Sequence, residues 1–333
     1  MNLIYSPTML LMVATLFLST LMALSSSNWV LLWAAMELNL LSFIPIMLQT
    51  KTGQEVEGSV KYYLAQAWGS ALLLFSSASM WVSFSWAPNF LPLILTSSIL
   101  LKLGSVPCHF WYPSVMASIS WTSCLILSTW QKLAPLMILT FLLPQKSNQY
   151  IMAVSGLNAL VGGLMGMNHS RLRVIMAYSS IGHIGWMLSL LGMYKPAAST
   201  LYFIVYSFLI TPLFLTLNFL NLVNLKHLST AYMNSSTCMT LAILLLSLGG
   251  LPPLTGFTPK FMAVSALTGS MSNVMLMLII GSIMNLYFYL NIIINTLLST
   301  PHLKPVSSSK SLTSGVLLTT AIFSLGLSPV IIM

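Results

Sequence analysis

The sequence predicts an all-α polytopic membrane protein with about eleven transmembrane helices. They form two inverted five-helix repeats with discontinuous helices, plus a C-terminal helix. Three observations carry this. The 333 residues are 57% hydrophobic and 5% charged, against about 25% charged in a soluble domain, so a water-facing surface of ordinary polarity cannot be built. The apolar residues fall in runs of about 20, the length that crosses the hydrocarbon core of a bilayer. Two of those runs hold glycine and proline beside a lysine: LKLGSVP around Lys102, and GGLPPLTGFTPK ending at Lys260.

The runs place helices at 3–24, 28–48, 59–80, 90–111, 119–143, 149–167, 171–192, 198–222, 237–267, 273–297 and 312–332. The first is an unbroken apolar run; with no charged leader before it, it is expected to stay in the protein. The second opens with Trp29 and Trp33, which suit the membrane interface, and holds Glu37 at its centre. The third starts near Lys61, close enough to an end for its ammonium to reach the surface. The fourth carries Lys102 beside Gly104 and Pro107, and the turn after it (His109, Trp111, Tyr112) joins Trp81 and Trp86 as interfacial aromatics. The fifth contains Lys132. The sixth shows Gly162-x-x-x-Gly166, a face on which helices approach closely. The seventh has His183 at its middle. The eighth and tenth are plain apolar runs. The ninth is too long for one span, and Gly249, Gly250, Pro252, Pro253, Gly256 and Pro259 must break it.

Broken backbone at membrane depth survives only where protein or a wet cavity shields it. The two breaks lie five spans apart, so residues 1–143 and 149–297 read as repeats, with 312–333 as an added transmembrane helix. An odd number of helices per repeat inverts one against the other, a transporter design. Loops after even-numbered spans, or residues near them, hold Lys51, Lys61, Arg171, Arg173, Lys226, Lys304 and Lys310; those after odd-numbered spans hold Lys146 and Lys195. The positive-inside rule then puts the amino terminus on the cytoplasmic or matrix side and the carboxyl terminus opposite.

The net charge of +9 does not indicate nucleic acid, because the basic residues are scattered singly and form no stripe. Cys108, Cys124 and Cys238 lack metal or disulfide spacing and read as small hydrophobes. No metal site and no dinucleotide fingerprint is expected.

Glu37, Lys102, Lys132 and Lys260 are the candidate site. An ionised lysine at the bilayer centre costs roughly 2.5–3.5 kcal/mol on insertion scales, so such residues mark an ion path or a buried partner. Lys102 and Lys132 lie about 15 Å from a span end at 1.5 Å per residue, too far to snorkel easily. One acid cannot neutralise three lysines. Charges about 10 Å apart couple by roughly 1.7 kcal/mol at an effective dielectric of 20, enough for one protonation to alter the next. That is what a proton relay needs; the competing reading is one structural ion pair with the other lysines at the surface. His183 could bridge the halves or only tie two helices together. Ser179 and Ser180 could hold water beside it, and His109 could gate access to Lys102.

The runs WxxMELNLLSFIPIM, KYYLAQA, LKLGSVPCHFWYPSV, LSTWQKLAP, LRxxMAYSSIGHIGWM and GGLPPLTGFTPKF resemble the antiporter-like membrane subunits of respiratory complex I, which are similar to cation/proton antiporters. The resemblance covers nearly the whole chain. It implies an animal version that keeps eleven of the family's fourteen helices, in the mitochondrial inner membrane, with the amino terminus in the matrix and the carboxyl terminus toward the intermembrane space. By motif it implies that Glu37 is the intramembrane acid and that Lys102 and Lys260 are the lysines of the broken helices. Lys132 matches the lysine of the helix after the first break. Where the family has WVPEV this chain has Trp111-Tyr112-Pro113-Ser114-Val115, without the acid. The resemblance further implies a proton-translocating subunit of NADH:ubiquinone oxidoreductase with no redox site of its own, since NADH, FMN, Fe–S clusters and ubiquinone are expected elsewhere in the complex. Implied partners are chain 4, chain 4L, the lateral helix of chain 5, accessory subunits and a phospholipid such as cardiolipin. A stand-alone cation/proton antiporter is the alternative, disfavoured because the chain has no Asp; a purely structural spacer is a third.

Overall fold

The computed structural model describes residues 7–49, 52–81, 90–142, 148–220, 222–225, 235–269 and 271–297. The predicted span 312–332 lies outside them, as do Trp86, His227, His302, Lys51, Lys146, Lys226, Lys304 and Lys310. Among the described residues the chain is helical, with one isolated antiparallel bridge joining Arg171 and Asn224. It divides into two compact units, Met1–Ile151 and Met152–Met333.

The first unit contains α1 (Pro7–Ser25), α2 (Trp29–Met47), α3 (Gly53–Trp81), α4 (Phe90–Leu103), α5 (Trp111–Ser118), α6 (Trp121–Ser128) and α7 (Trp130–Leu142). Helix α3 starts six residues before the predicted 59: the Thr52 hydroxyl accepts the Glu55 N–H at 3.4 Å at its start, and the exposed Glu57–Lys61 pair one turn on adds a little. Helix α4 ends at Leu103 rather than 111. The predicted span 119–143 is interrupted at Thr129, whose N–H and Oγ1 both donate to the Leu125 carbonyl, at 3.1 and 2.7 Å. A threonine bonding back to its own helix bends it, and Pro135 inside α7 withholds another donor.

The second unit contains most of α8 (Asn148–Met167), then α9 (Leu172–Gly192), α10 (Pro196–Phe219), α11 (Ser235–Gly249), α12 (Phe257–Leu267) and α13 (Ser272–Leu297). The ninth predicted span is therefore two helices, α11 and α12, as its glycines and prolines required. Helix α9 is its buried axis: nearly every residue from Leu172 to Gly192 is covered. Among the described residues, seven helical stretches are long and apolar enough to cross a membrane, including α1, α2, α9, α10 and α13.

Close backbone approach holds this unit together. A Cβ on Gly162 would stand 2.7 Å from both the Gly182 nitrogen and the Tyr178 carbonyl oxygen of α9, and one on Gly281 would stand 2.3 Å from the Ala159 carbonyl oxygen of α8. Gly166 meets the Phe288 ring instead, so the predicted small-residue face is shared between α9 and α13. Gly162→Leu is expected to destabilise the protein by about 3 kcal/mol, the upper end for overpacking, because backbone cannot yield. Gly166→Ala needs only a ring to shift, and its effect should be smaller. Thermal inactivation of the assembled protein distinguishes the two.

Candidate functional site: buried lysines at interrupted helices

Helix α4 ends inside the protein, with Leu103 1% exposed, and its last carbonyls must find donors there. Gly104 takes the left-handed conformation (φ +73°). Its N–H donates to the Leu101 carbonyl and that of Ser105 to the Leu100 carbonyl, both at 3.0 Å. These are the two bonds of a Schellman cap, and glycine is the residue that adopts it without strain. Pro107 has no N–H with which to continue the ladder. Side chains from other helices complete the cap: Trp111 Nε1 donates to the Leu101 carbonyl and Gln66 Nε2 to the Lys102 carbonyl, both at 3.1 Å. The turn expected at the membrane surface is thus partly interior. Tyr112 is buried and Trp111 acts as a cap, whereas Cys108, expected to be buried, is exposed.

Lys102 stands at the carboxyl end of α4, where the helix dipole favours a cation. It is 5% exposed, and its stem lies across α3: a Cβ on Gly69 would stand 2.8 Å from Lys102 Cγ. The next residue, Ser70, donates its hydroxyl to Glu37 Oε1. Adjacent residues of α3 thus seat the lysine and hold the acid. Glu37 and Lys102 do not meet as an ion pair.

Lys132 is also buried, three residues past the interruption at Thr129. Its Nζ lies 4.5 Å from the centroid of the Tyr112 ring, a cation–π geometry. Its neighbour Gln131 donates to Asn39 Oδ1 at 3.0 Å and accepts from the Tyr62 hydroxyl at 3.3 Å, so α2, α3 and α7 share one polar seam.

The second break repeats the first in form. Gly250 has φ +81°, its N–H donates to Ser247 at 3.0 Å, and that of Leu251 donates to Leu246 at 3.4 Å. The residues four further along from Leu248 and Gly249 are Pro252 and Pro253, which have no N–H to give. Lys260 gives it instead: Nζ donates to the Leu248 carbonyl at 3.1 Å and the Gly249 carbonyl at 2.7 Å. Its stem rests on Gly250, where a Cβ would stand 2.8 Å from Lys260 Cδ. Each unit therefore carries a lysine at the negative end of an interrupted helix, from the same helix in the first and from the following one in the second.

His183 is buried within α9, with Nδ1 2.9 Å from the Tyr202 hydroxyl and its ring 5.0 Å from that of Tyr206. Ser179 and Ser180, expected to hold water beside it, donate to the Met176 and Ala177 carbonyls of their own helix. His109 Nδ1 lies 3.2 Å from the Pro107 carbonyl, and its ring packs on Phe110 at 4.2 Å.

The structure thus brings Glu37 and Lys102 to adjacent residues of α3 and Lys132 to the ring of Tyr112. In the second unit, Lys260 lies at the end of α11 and His183 lies against α10. Ser70, Gly69, Gln66, Tyr62, Gln131 and Asn39 were not singled out from the sequence, and Tyr112 was read only as an interfacial aromatic. A signal existed for three of them: Tyr62, Gln66 and Ser70 recur every four residues, one polar stripe along an apolar helix.

Interrupted membrane helices with charged groups at the breaks are a feature of membrane transporters. The profile of the NADH:quinone oxidoreductase/Mrp antiporter transmembrane family matches residues 26–285, and the chain belongs to that family. It is 61% identical to NADH-ubiquinone oxidoreductase chain 2 of Lumbricus terrestris, covering 100% of both chains. It is also 40% identical to chain 2 of Lemur catta, over 86% of this chain and 84% of that one. Among solved structures, a chain of respiratory complex I from Thermus thermophilus with bound Aureothin shares the fold, with TM-score 0.84 and 22% identity over 96% of this chain and 78% of that one. A chain of the Mrp complex from Dietzia sp. shares it with TM-score 0.80 and 16% identity, over 95% and 74%.

Proposed function

We propose that this chain is the antiporter-like, proton-translocating chain 2 subunit of NADH:ubiquinone oxidoreductase. It is an enzyme component only as part of that complex, in the mitochondrial inner membrane. The 61% identity to the Lumbricus terrestris chain over the full length of both supports the assignment. NADH, FMN, Fe–S clusters and ubiquinone belong to other subunits on this reading. The chain's neighbours are chain 4, chain 4L, the lateral helix of chain 5, accessory subunits and phospholipid such as cardiolipin. The amino terminus faces the matrix and the carboxyl terminus the intermembrane space. Residues 1–143 and 149–297 act as inverted repeats; the matching glycine turns at the two breaks support this.

Glu37, Lys102 and Lys132 are the proton stations of the first unit, and His183 and Lys260 those of the second. One observation carries the relay: Lys102, Lys132 and Lys260 are each buried at or beside an interruption of a helix. An ammonium in such a place is held by fixed dipoles rather than bulk water, so gaining or losing a proton shifts the balance at its neighbours. Reduction of quinone elsewhere in the assembly would displace one of these charges and the others would follow. Glu37→Gln or Lys102→Ala, made in the assembled complex, should lower the proton-to-electron ratio and coupled turnover while assembly persists. A normal ratio in both variants, measured in proteoliposomes, would count decisively against the relay.

A further inference from the structure

The Trp111–Tyr112 pair touches the surroundings of both lysines in the first unit. Trp111 Nε1 is bonded to the carbonyl just before Lys102, and Tyr112 turns its ring face to the Lys132 ammonium. The two rings meet nearly edge-on, with centroids 5.6 Å apart at 86°. Both press on the left-handed glycine of the break, where a Cβ on Gly104 would stand 3.0 Å from Tyr112 Cβ and 3.3 Å from Trp111 Cζ2. The Tyr112 side chain is 1% exposed and cannot turn away from its neighbours. An aromatic face attracts a cation through its quadrupole and offers a neutral amine little. The contact therefore tells the two protonation states of a lysine apart.

We propose that Tyr112 is a positioning residue for proton transfer at Lys132: its ring face holds the ammonium form in place, and Trp111 anchors the ring to the end of α4. The proposal rests on the relay reading, and the experiment separates their failures. In the assembled complex, Tyr112→Phe keeps the ring and Tyr112→Leu removes it. The expected result is coupled turnover and a proton-to-electron ratio close to the parent for Y112F, and an about fivefold loss of coupled turnover for Y112L. A general packing defect lowers the amount of assembled complex, read on native gels, and leaves the proton-to-electron ratio of the complex that does assemble unchanged, whereas loss of positioning at Lys132 lowers that ratio in Y112L. Equal loss in both variants, or no loss in Y112L, overturns the assignment. If Y112L does not accumulate, Trp111→Phe decides, since it keeps the ring and deletes the anchoring bond. Partial loss of coupling in W111F supports the proposal, and parent-like coupling overturns it. Lys132→Met is run beside them: normal pumping in K132M sinks the relay at this station, whereas a defect in K132M with normal Y112L sinks only the role of Tyr112.

Discussion

Gly256→Ala is expected to leave little assembled complex. After the second break the chain crosses back over the last turn of α11 so closely that a Cβ at 256 would stand 1.8 Å from the Ser247 carbonyl oxygen and 2.8 Å from its carbon. Both obstacles are backbone, and that carbonyl also accepts the Gly250 N–H of the cap. Making room means opening the cap, displacing the seat of Lys260, or both. The loss should reach about 3 kcal/mol or more, the upper range for overpacking. Gly53→Ala is the control: a Cβ there meets nothing within 4 Å. Native gels of membranes carrying each variant should show the G256A complex depleted and the G53A complex at the parent level. Parent-level G256A complex would mean that the crossing is looser than its geometry indicates.

The second large effect is expected at Lys260. Lys260→Met removes both donors to the Leu248 and Gly249 carbonyls, at a point where the following prolines offer no substitute. Hydrogen bonds from charged groups contribute about 1.5–3 kcal/mol each, so the end of α11 should be weakened by roughly 3 kcal/mol. Proton transfer at this station should stop as well; a barrier raised by about 1.4 kcal/mol already slows turnover tenfold. Lys260→Arg separates the two effects. A guanidinium supplies donors but does not release a proton in proteins, so K260R should accumulate better than K260M and still pump poorly. The amount of complex and the proton-to-electron ratio of both variants test this. Parent-like pumping in K260R would remove Lys260 from the relay.

How much of this was legible in the sequence depends on which residues are rare in a membrane span. Lys102, Lys132 and Lys260 stood out because lysine in an apolar run has few explanations, and the 249–259 break because prolines and glycines cannot continue a helix. Ser70 did not stand out. Serine is common in these spans and generally bonds its own helix, as Ser76 and Ser77 do with Leu73 and Leu74. Which serine meets Glu37 is decided by how α2 packs on α3, and no pattern within either segment records that. The interruption at Thr129 was hidden for a related reason: its residues are apolar enough to continue a span, and the break arises from a side chain competing for one carbonyl. Trp111 and Tyr112 were read as interfacial because aromatics usually are. Their interior position follows from α4 ending eight residues early, at Leu103, and leaving carbonyls that need donors.

On the proposed relay, the seat of Lys260 bears on what moves when that residue gives up a proton. An ammonium has three hydrogens, and the two carbonyls at the end of α11 engage two of them. Loss of the third leaves an amine that can still donate to both carbonyls, though each bond is about half as strong without the charge. A discharged Lys260 would thus keep the broken helix closed, so the carrier could cycle through charged and neutral states like a fixed terminal on a circuit board, with the current passing and the wiring standing still.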